Sequence, residues 1–219
     1  LGTAAISGGT ATLNTSTLST GAHSLTAVYG GDGTYTASTS AVHTHTVDAG
    51  STTTTVASTP NPSAFGESVA ISVTVAANPP AAGTATGSVE LFDGVTSLGT
   101  QALSGGSATF NTSALSTGAH TLSAVYSGST DFTGSTSADY THTVNPAATA
   151  TSVTSAPNPS LFGESVTLTA TVTPAAASGS VEFFDGLASL GLGSLSGGVA
   201  TLSTSALAVT ASAAFCGSV

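Results

Sequence analysis

There is no lysine and no arginine anywhere in the chain, so five histidines are its only cationic side chains. Ten Asp and Glu residues set the formal charge at −10. With nothing to neutralise phosphates, nucleic acid is excluded as a partner, and anionic membrane surfaces are excluded with it. An ion pair can form only through a protonated histidine, and a Lys–Asn isopeptide staple is chemically impossible. Tryptophan is absent and aromatics make up 5% of the residues, which leaves little for an aromatic binding platform. Cys216 is the single cysteine and cannot form an internal disulfide. Methionine is missing too, so Leu1 is not a translation start, and the chain is expected to be an excerpt or a processed product. No leader, anchor or membrane-length apolar run is visible. Apolar burial and backbone ladders must therefore hold the fold.

What the chain does have is repetition. Residues 1–47 align without a gap to residues 98–144, with 32 of 47 positions identical. The rest of the unit recurs as well. TTVASTPNPSAFGESV (54–69) returns as TSVTSAPNPSLFGESV (151–166), GSVELFDG (87–94) as GSVEFFDG (179–186), and LSGGSATFNTSAL (103–115) as LSGGVATLSTSAL (195–207). The offset between copies falls from 97 to 92 where NPPAAGTATG (78–87) is replaced by PAAASG (174–179), which marks a surface loop. A repeat of this length is a whole small domain rather than a solenoid unit. Residues 1–47 read as the C-terminal part of a repeat, 48–146 as a complete one, and 147–219 as a repeat lacking its last strand.

The apolar period is two. Val69, Ile71, Val73 and Val75 alternate with Ala70, Ser72, Thr74 and Ala76, and Val166, Leu168, Ala170 and Val172 repeat the pattern. His120, Leu122, Ala124 and Tyr126 share one face, as do His23, Leu25, Ala27 and Tyr29. Such alternation gives strands with one buried side, and no helical stripe competes with it. Turn residues at Pro60–Ser63, Asp93-Gly94, Ser104–Gly106 and Ser116–Gly118 divide the complete unit into seven expected strands. These lie at 51–58, 67–77, 87–93, 95–103, 106–113, 119–127 and 135–145. The fold class is all-β: tandem antiparallel β-sandwiches of about seven strands per unit.

The ordered set PNPSxFGESV, GSVELFDG, LGT, LSGGSATF and TGAHTLSAVYSGSTDFTGSTS resembles the bacterial Ig-like repeat of large surface and secreted proteins, in particular the type 3 related repeats. The resemblance runs over nearly the whole chain. It implies an Ig-like sandwich serving as a stalk, spacer or adhesive repeat at a bacterial cell surface. It supplies no catalytic residues and no cofactor.

Several side chains are candidates for chemistry. His43 and His45 share one face of a strand and could bind a transition metal with a third ligand, and Asp48 at the adjoining linker is the candidate for an interdomain cation. The second copy replaces His43 by Tyr140 and leaves only His142, so the pattern reads as strand-surface histidines. His23 and His120 read as hydrogen-bonding caps on the core edge. Asp93 and Asp185 precede glycine in tight turns, where an aspartate can bond the backbone, and Glu67 and Glu164 follow Phe-Gly before a strand. Asn14 and Asn111 head N-x-S/T sequons. No nucleophile elbow, phosphate loop or Cys/His pair is present, and the chain reads as a non-enzyme.

Three functional readings follow. The leading one is an extracellular structural repeat forming a stalk, fibre or filament, because the junctions Asp48-Ala49-Gly50 and Asn145-Pro146-Ala147 leave little slack. A sharper form is self-association with identical subunits by strand donation, using the strand that carries Thr39, Ala41, His43, His45 and Val47. The alternative is an adhesin or recognition module that binds a glycan or a host protein, for which Phe92, Phe132 and Tyr140 are the best exposed candidates, each equally readable as core or edge packing.

Overall fold

The computed structural model describes residues 1–207, and Cys216 lies outside the described residues. All regular structure among them is strand. Chain contacts divide the molecule into Leu1–Pro146 and Ala147–Val219.

In the first unit, residues 1–47 contribute β1 (Gly21–Leu25), β2 (Val28–Tyr29), β3 (Ser38–Thr39) and β4 (His43–Val47), with β1 antiparallel to β4 and β2 to β3. Residues 48–146 contribute β5 (Thr52–Thr59), β6 (Ser63–Ala64), β7 (Val69–Ala77), β8 (Ser88–Asp93), β9 (Thr96–Ala102), β10 (Ser107–Thr112), β11 (Gly118–Tyr126), β12 (Ser135–Thr136) and β13 (Tyr140–Asn145). They form two sheets. One has the order β10-β7-β5; the other runs β6-β13-β11-β8-β9, with β12 also on β11.

The alternating residues build the core between these sheets. Ile71, Val73, Val89, Leu91, Leu122 and Ala124 are all fully buried. Ladder registers place Ile71 opposite Phe110 and Ala124 opposite Leu91, so the buried faces of neighbouring strands stack. Each such Leu, Ile or Val contributes about 1.5–3 kcal/mol on leaving water. Tyr126 is buried too, and its hydroxyl donates to the Thr86 carbonyl at 2.6 Å, satisfying the phenol inside an apolar layer.

The expected strand 135–145 is two strands. At the break, the Ala124 amide donates to Ser137 Oγ at 2.9 Å, and the Ser137 amide returns a bond to the Ala124 carbonyl at 2.9 Å. A hydroxyl thus stands where a strand carbonyl would, and the ladder is interrupted. Ser40 does the same with Ala27 in the first copy. A further strand that periodicity did not announce, β6, arises from the Pro60–Ser63 turn and runs parallel to β13.

The second unit contains β14 (Ala150–Ala156), β15 (Val166–Thr173), β16 (Gly179–Asp185), β17 (Ala188–Leu195) and β18 (Val199–Thr204). Their sheets are β14-β15-β18 and β16-β17, around Val166, Leu168, Ala170, Phe183 and Ala200.

Candidate functional site: the closing strand and the entry loop

Two polar constellations in residues 48–146 recruit side chains from several strands. The first lies where the last strand closes the sandwich. Along the inward face of β5, Val56 packs on the core, while Thr52, Thr54 and Ser58 are buried hydroxyls. Thr52 and Thr54 each share a hydrogen bond with Ser135 Oγ, at 2.8 and 2.7 Å. Farther along, His142 is fully buried between two hydroxyls, Ser58 Oγ at 2.9 Å from Nδ1 and Ser63 Oγ at 3.0 Å from Nε2. Burial pushes this imidazole below the usual histidine range; the charge of nearby His120 adds to that, and Asp93 opposes it. A neutral ring fits, because a hydroxyl can give or accept a proton at either nitrogen.

His142 therefore departs from the strand-surface reading given to His43 and His45. In residues 1–47 the same strand leaves His43 and His45 exposed, because the polar seam of Ser58 and Ser63 has no counterpart there. The outer edge of β13 is held by Asn61, whose Nδ2 donates to Tyr140 Oη at 3.1 Å and to the Thr141 carbonyl at 3.0 Å. Asn61 Oδ1 accepts the Thr143 amide at 3.0 Å. One side-chain amide thus takes the place of a neighbouring strand before β6 continues the pairing.

His120 faces His142 across the β11–β13 ladder and is held in the opposite manner. Its Nδ1 lies 2.7 Å from Asp93 Oδ2, and its Nε2 lies 2.8 Å from the Ser116 carbonyl. A carbonyl can only accept, and so can a carboxylate, so both ring nitrogens must carry protons. His120 is an imidazolium paired with Asp93. The Ser116 carbonyl raises its pKa first; burial opposes, and the Asp93 hydrogen bond and charge raise it further. The expected cap on the core edge is present, while Asp93 uses its carboxylate on His120 rather than on its own turn. Ser116 Oγ stands 3.5 Å from Nε2, which completes an Asp–His–Ser series. It is not a nucleophile arrangement, because the Nε2 proton is already given to a carbonyl and cannot be exchanged for that of the hydroxyl. In the first copy His23 makes the same Nε2 bond, to the Ser19 carbonyl at 2.6 Å.

The second constellation is where the chain enters, beside Thr52, whose Oγ1 donates to the Thr133 carbonyl at 2.9 Å. The Gly50 amide donates to the Asp131 carbonyl at 2.9 Å, and the Thr133 amide donates to the Gly50 carbonyl at 2.8 Å. A Cβ on Gly50 would stand 2.5 Å from Ala81 Cβ and 3.4 Å from the Phe132 ring. Gly83, at φ +118°, is 3.4 Å from the tip of that ring by the same measure. Phe132 is thus buried between two glycines rather than offered as an exposed aromatic, and Phe92 and Tyr140 are half-buried. Across the groove, Thr20 Oγ1 donates to Asp131 Oδ1 at 2.9 Å and to the Thr130 carbonyl at 3.3 Å.

The remaining expected residues fall outside these two clusters. His45 pairs with His23 in the β1–β4 register, Asp48 lines the entry groove with Asp131, and no group of three His, Cys, Asp or Glu converges among the described residues. Thr39 pairs with Val28, and His43, His45 and Val47 are laddered to β1, so these parts of the donation segment are held by their own copy; Ala41 lies between β3 and β4. Asn14 and Asn111 are exposed. Glu67 accepts the Ala64 amide at 2.8 Å, as Glu164 accepts that of Leu161 at 2.7 Å. Ser58, Ser63, Asn61 and Asp131 were not foreseen, although the recurrence of PNPS in both copies was a signal for two of them.

A search of curated proteins finds no match. Among solved structures, the fibronectin(III)-like modules of Clostridium thermocellum CbhA are similar at 20% identity and TM-score 0.33, over 70% of this chain and 78% of that one. The profile of the bacterial Ig-like domain (group 3) matches residues 1–48, 54–145 and 153–217. With nearly every residue inside those three matches, the chain belongs to the bacterial Ig-like domain (group 3) family.

Proposed function

We propose that this chain is a non-enzymatic spacer, a run of Ig-like domains that extends a stalk or fibre from a bacterial cell surface. The observation that carries this reading is how the recurring polar side chains are used. Glu67 and Glu164 cap the same turn in their own copies. Ser97 donates to Glu90 and Ser189 to Glu182, both at 2.6 Å. His120 closes on Asp93. What repetition preserves is self-closure of each domain, and self-closed domains joined by short linkers suit length and spacing.

Negative-stain electron microscopy of the 219-residue chain tests it. Elongated particles with beads along one line support the spacer, and compact particles of equal axes overturn it. A second reading, self-association through strand exchange, is favoured by Asn158–Phe162, the counterpart of the segment that grips β13 in the other copy. There Leu161 and Phe162 are 80% and 88% exposed. Dilution of the same sample decides it: filaments that shorten on dilution support exchange, and single particles at every concentration refute it.

A further inference from the structure

We propose that the entry loop of residues 129–133, together with Gly50, is an orienting joint whose partner is the exit end of the preceding Ig-like copy. The inference rests on the spacer reading and adds to it that the spacer is stiff at this junction. Three independent features lead to it. First, the linker is almost entirely absorbed. Strand β4 ends at Val47, and Gly50 is already hydrogen-bonded on both sides to the 131–133 backbone, so only Asp48 and Ala49 are untethered. Two residues span at most ~7 Å, too little for one domain to swing freely past the next.

Second, a side chain crosses the junction. Thr20 comes from the turn that precedes β1, and it reaches Asp131 Oδ1 and the Thr130 carbonyl on the other side. Because the hydroxyl approaches both a carboxylate and a main-chain oxygen of the same loop, it fixes a direction as well as a distance. Third, the receiving loop is itself rigid. Phe132 anchors it between Gly50 and Gly83, and the Ser129 amide closes the turn on the Phe132 carbonyl at 2.8 Å. The groove between the two sides has a volume of about 620 Å³, with Leu18, Thr20 and Val47 facing Pro80, Ala81 and Phe132. Its walls are apolar and hydroxyl-bearing apart from the carboxylates of Asp48 and Asp131, and Asp131 is the one that Thr20 of the preceding copy engages.

The test measures the spread of distances across the junction in the full chain. In a Cys216→Ser background, Ser24→Cys and Thr109→Cys carry spin labels, and double electron–electron resonance gives the distance distribution. A single narrow peak is expected. Thr20→Val and Asp131→Ala should each broaden it about twofold, as expected when a strut is removed from a two-residue tether. Thr20→Ser keeps the hydroxyl and should restore the narrow peak, and Asp139→Ala, which removes an exposed charge elsewhere, should leave it narrow. A broad parent distribution overturns the joint, as do Thr20→Val and Asp131→Ala peaks no wider than that of Asp139→Ala. Either result leaves the spacer standing if the particles remain elongated in the microscope. Compact particles sink the spacer whatever the labels show.

Discussion

Replacing His120 by glutamine should change the pH dependence of stability in a direction the two buried histidines fix. In the parent, His120 is charged between Asp93 and the Ser116 carbonyl, with its pKa raised. A raised value means that its stabilisation is complete below the unfolded histidine pKa of about 6.5 and is lost as pH rises through the folded value. His142 works the other way. Its pKa is lowered by burial, so its contribution is present above about 6.5 and is lost as pH falls through the folded value. In the parent the His142 loss lies below about 6.5 and the His120 loss above it, so stability falls away on both sides. His120→Gln leaves only the His142 slope, so that variant should lose stability on acidification. His142→Gln leaves only the His120 slope, so that variant should lose stability as pH rises above about 6.5. At pH 6, loss of the charged pair should cost about 1.5–3 kcal/mol, the range for a hydrogen bond to a charged group, because His120 is 9% exposed. Urea unfolding followed by tyrosine fluorescence reads this out, since Tyr126 is buried in the same sandwich. Parallel pH profiles for the parent and both variants would refute the assignment of opposite charge states.

Three further outcomes rest on single contacts. Gly50→Ala should destabilise residues 48–146 by about 1–3 kcal/mol, because the new methyl meets Ala81 Cβ at 2.5 Å, and Ala81→Gly should recover part of the loss in thermal melts. Ser129→Asp should stabilise by about 1 kcal/mol at neutral pH, measured by calorimetry. Ser129 Oγ is buried without a partner, whereas its counterpart Asp32 accepts the Thr34 and Tyr35 amides at 2.7 Å each. Those bonds lower the Asp32 pKa, so the gain should vanish as pH falls through the carboxylate range. Asn61→Ala should speed hydrogen exchange at Thr143, the amide it accepts, by about fivefold or more while leaving β7 protected.

The sheets were legible because their buried positions are hydrocarbon at period two. Val69 to Val75 and Leu122 to Tyr126 announce both strand and inward face. The closing seam was not, because three of its four inward positions are Thr52, Thr54 and Ser58, which an apolar-period reading assigns to solvent. Only the partners across the gap, Ser135 and His142, show why hydroxyls are buried there. Phe132 was ambiguous for a related reason. An aromatic in a Gly/Ser/Thr loop can be core or surface until Gly50 and Gly83, 82 and 49 residues earlier, are seen packed close to its ring.

The repeat also shows that a strand is a property of a pair. Residues 107–112, SATFNT, form β10 against Val69–Thr74, and residues 199–204, VATLST, form β18 against Val166–Thr171. The first copy has almost the same letters at 10–15, TATLNT, yet beyond a single bridge at Thr10 they form no ladder. Residues 1–47 contain no counterpart of 69–74 to pair with, and intrinsic preference for strand spans only about 1 kcal/mol, less than the cost of ordering the backbone of two residues. His45 and His142 differ for the same reason. The identical histidine is exposed without Ser58 and Ser63 and fully buried with them. What each copy of the sequence encodes is therefore a set of complementary edges, and burial of a given side chain follows from which of those edges is present to receive it.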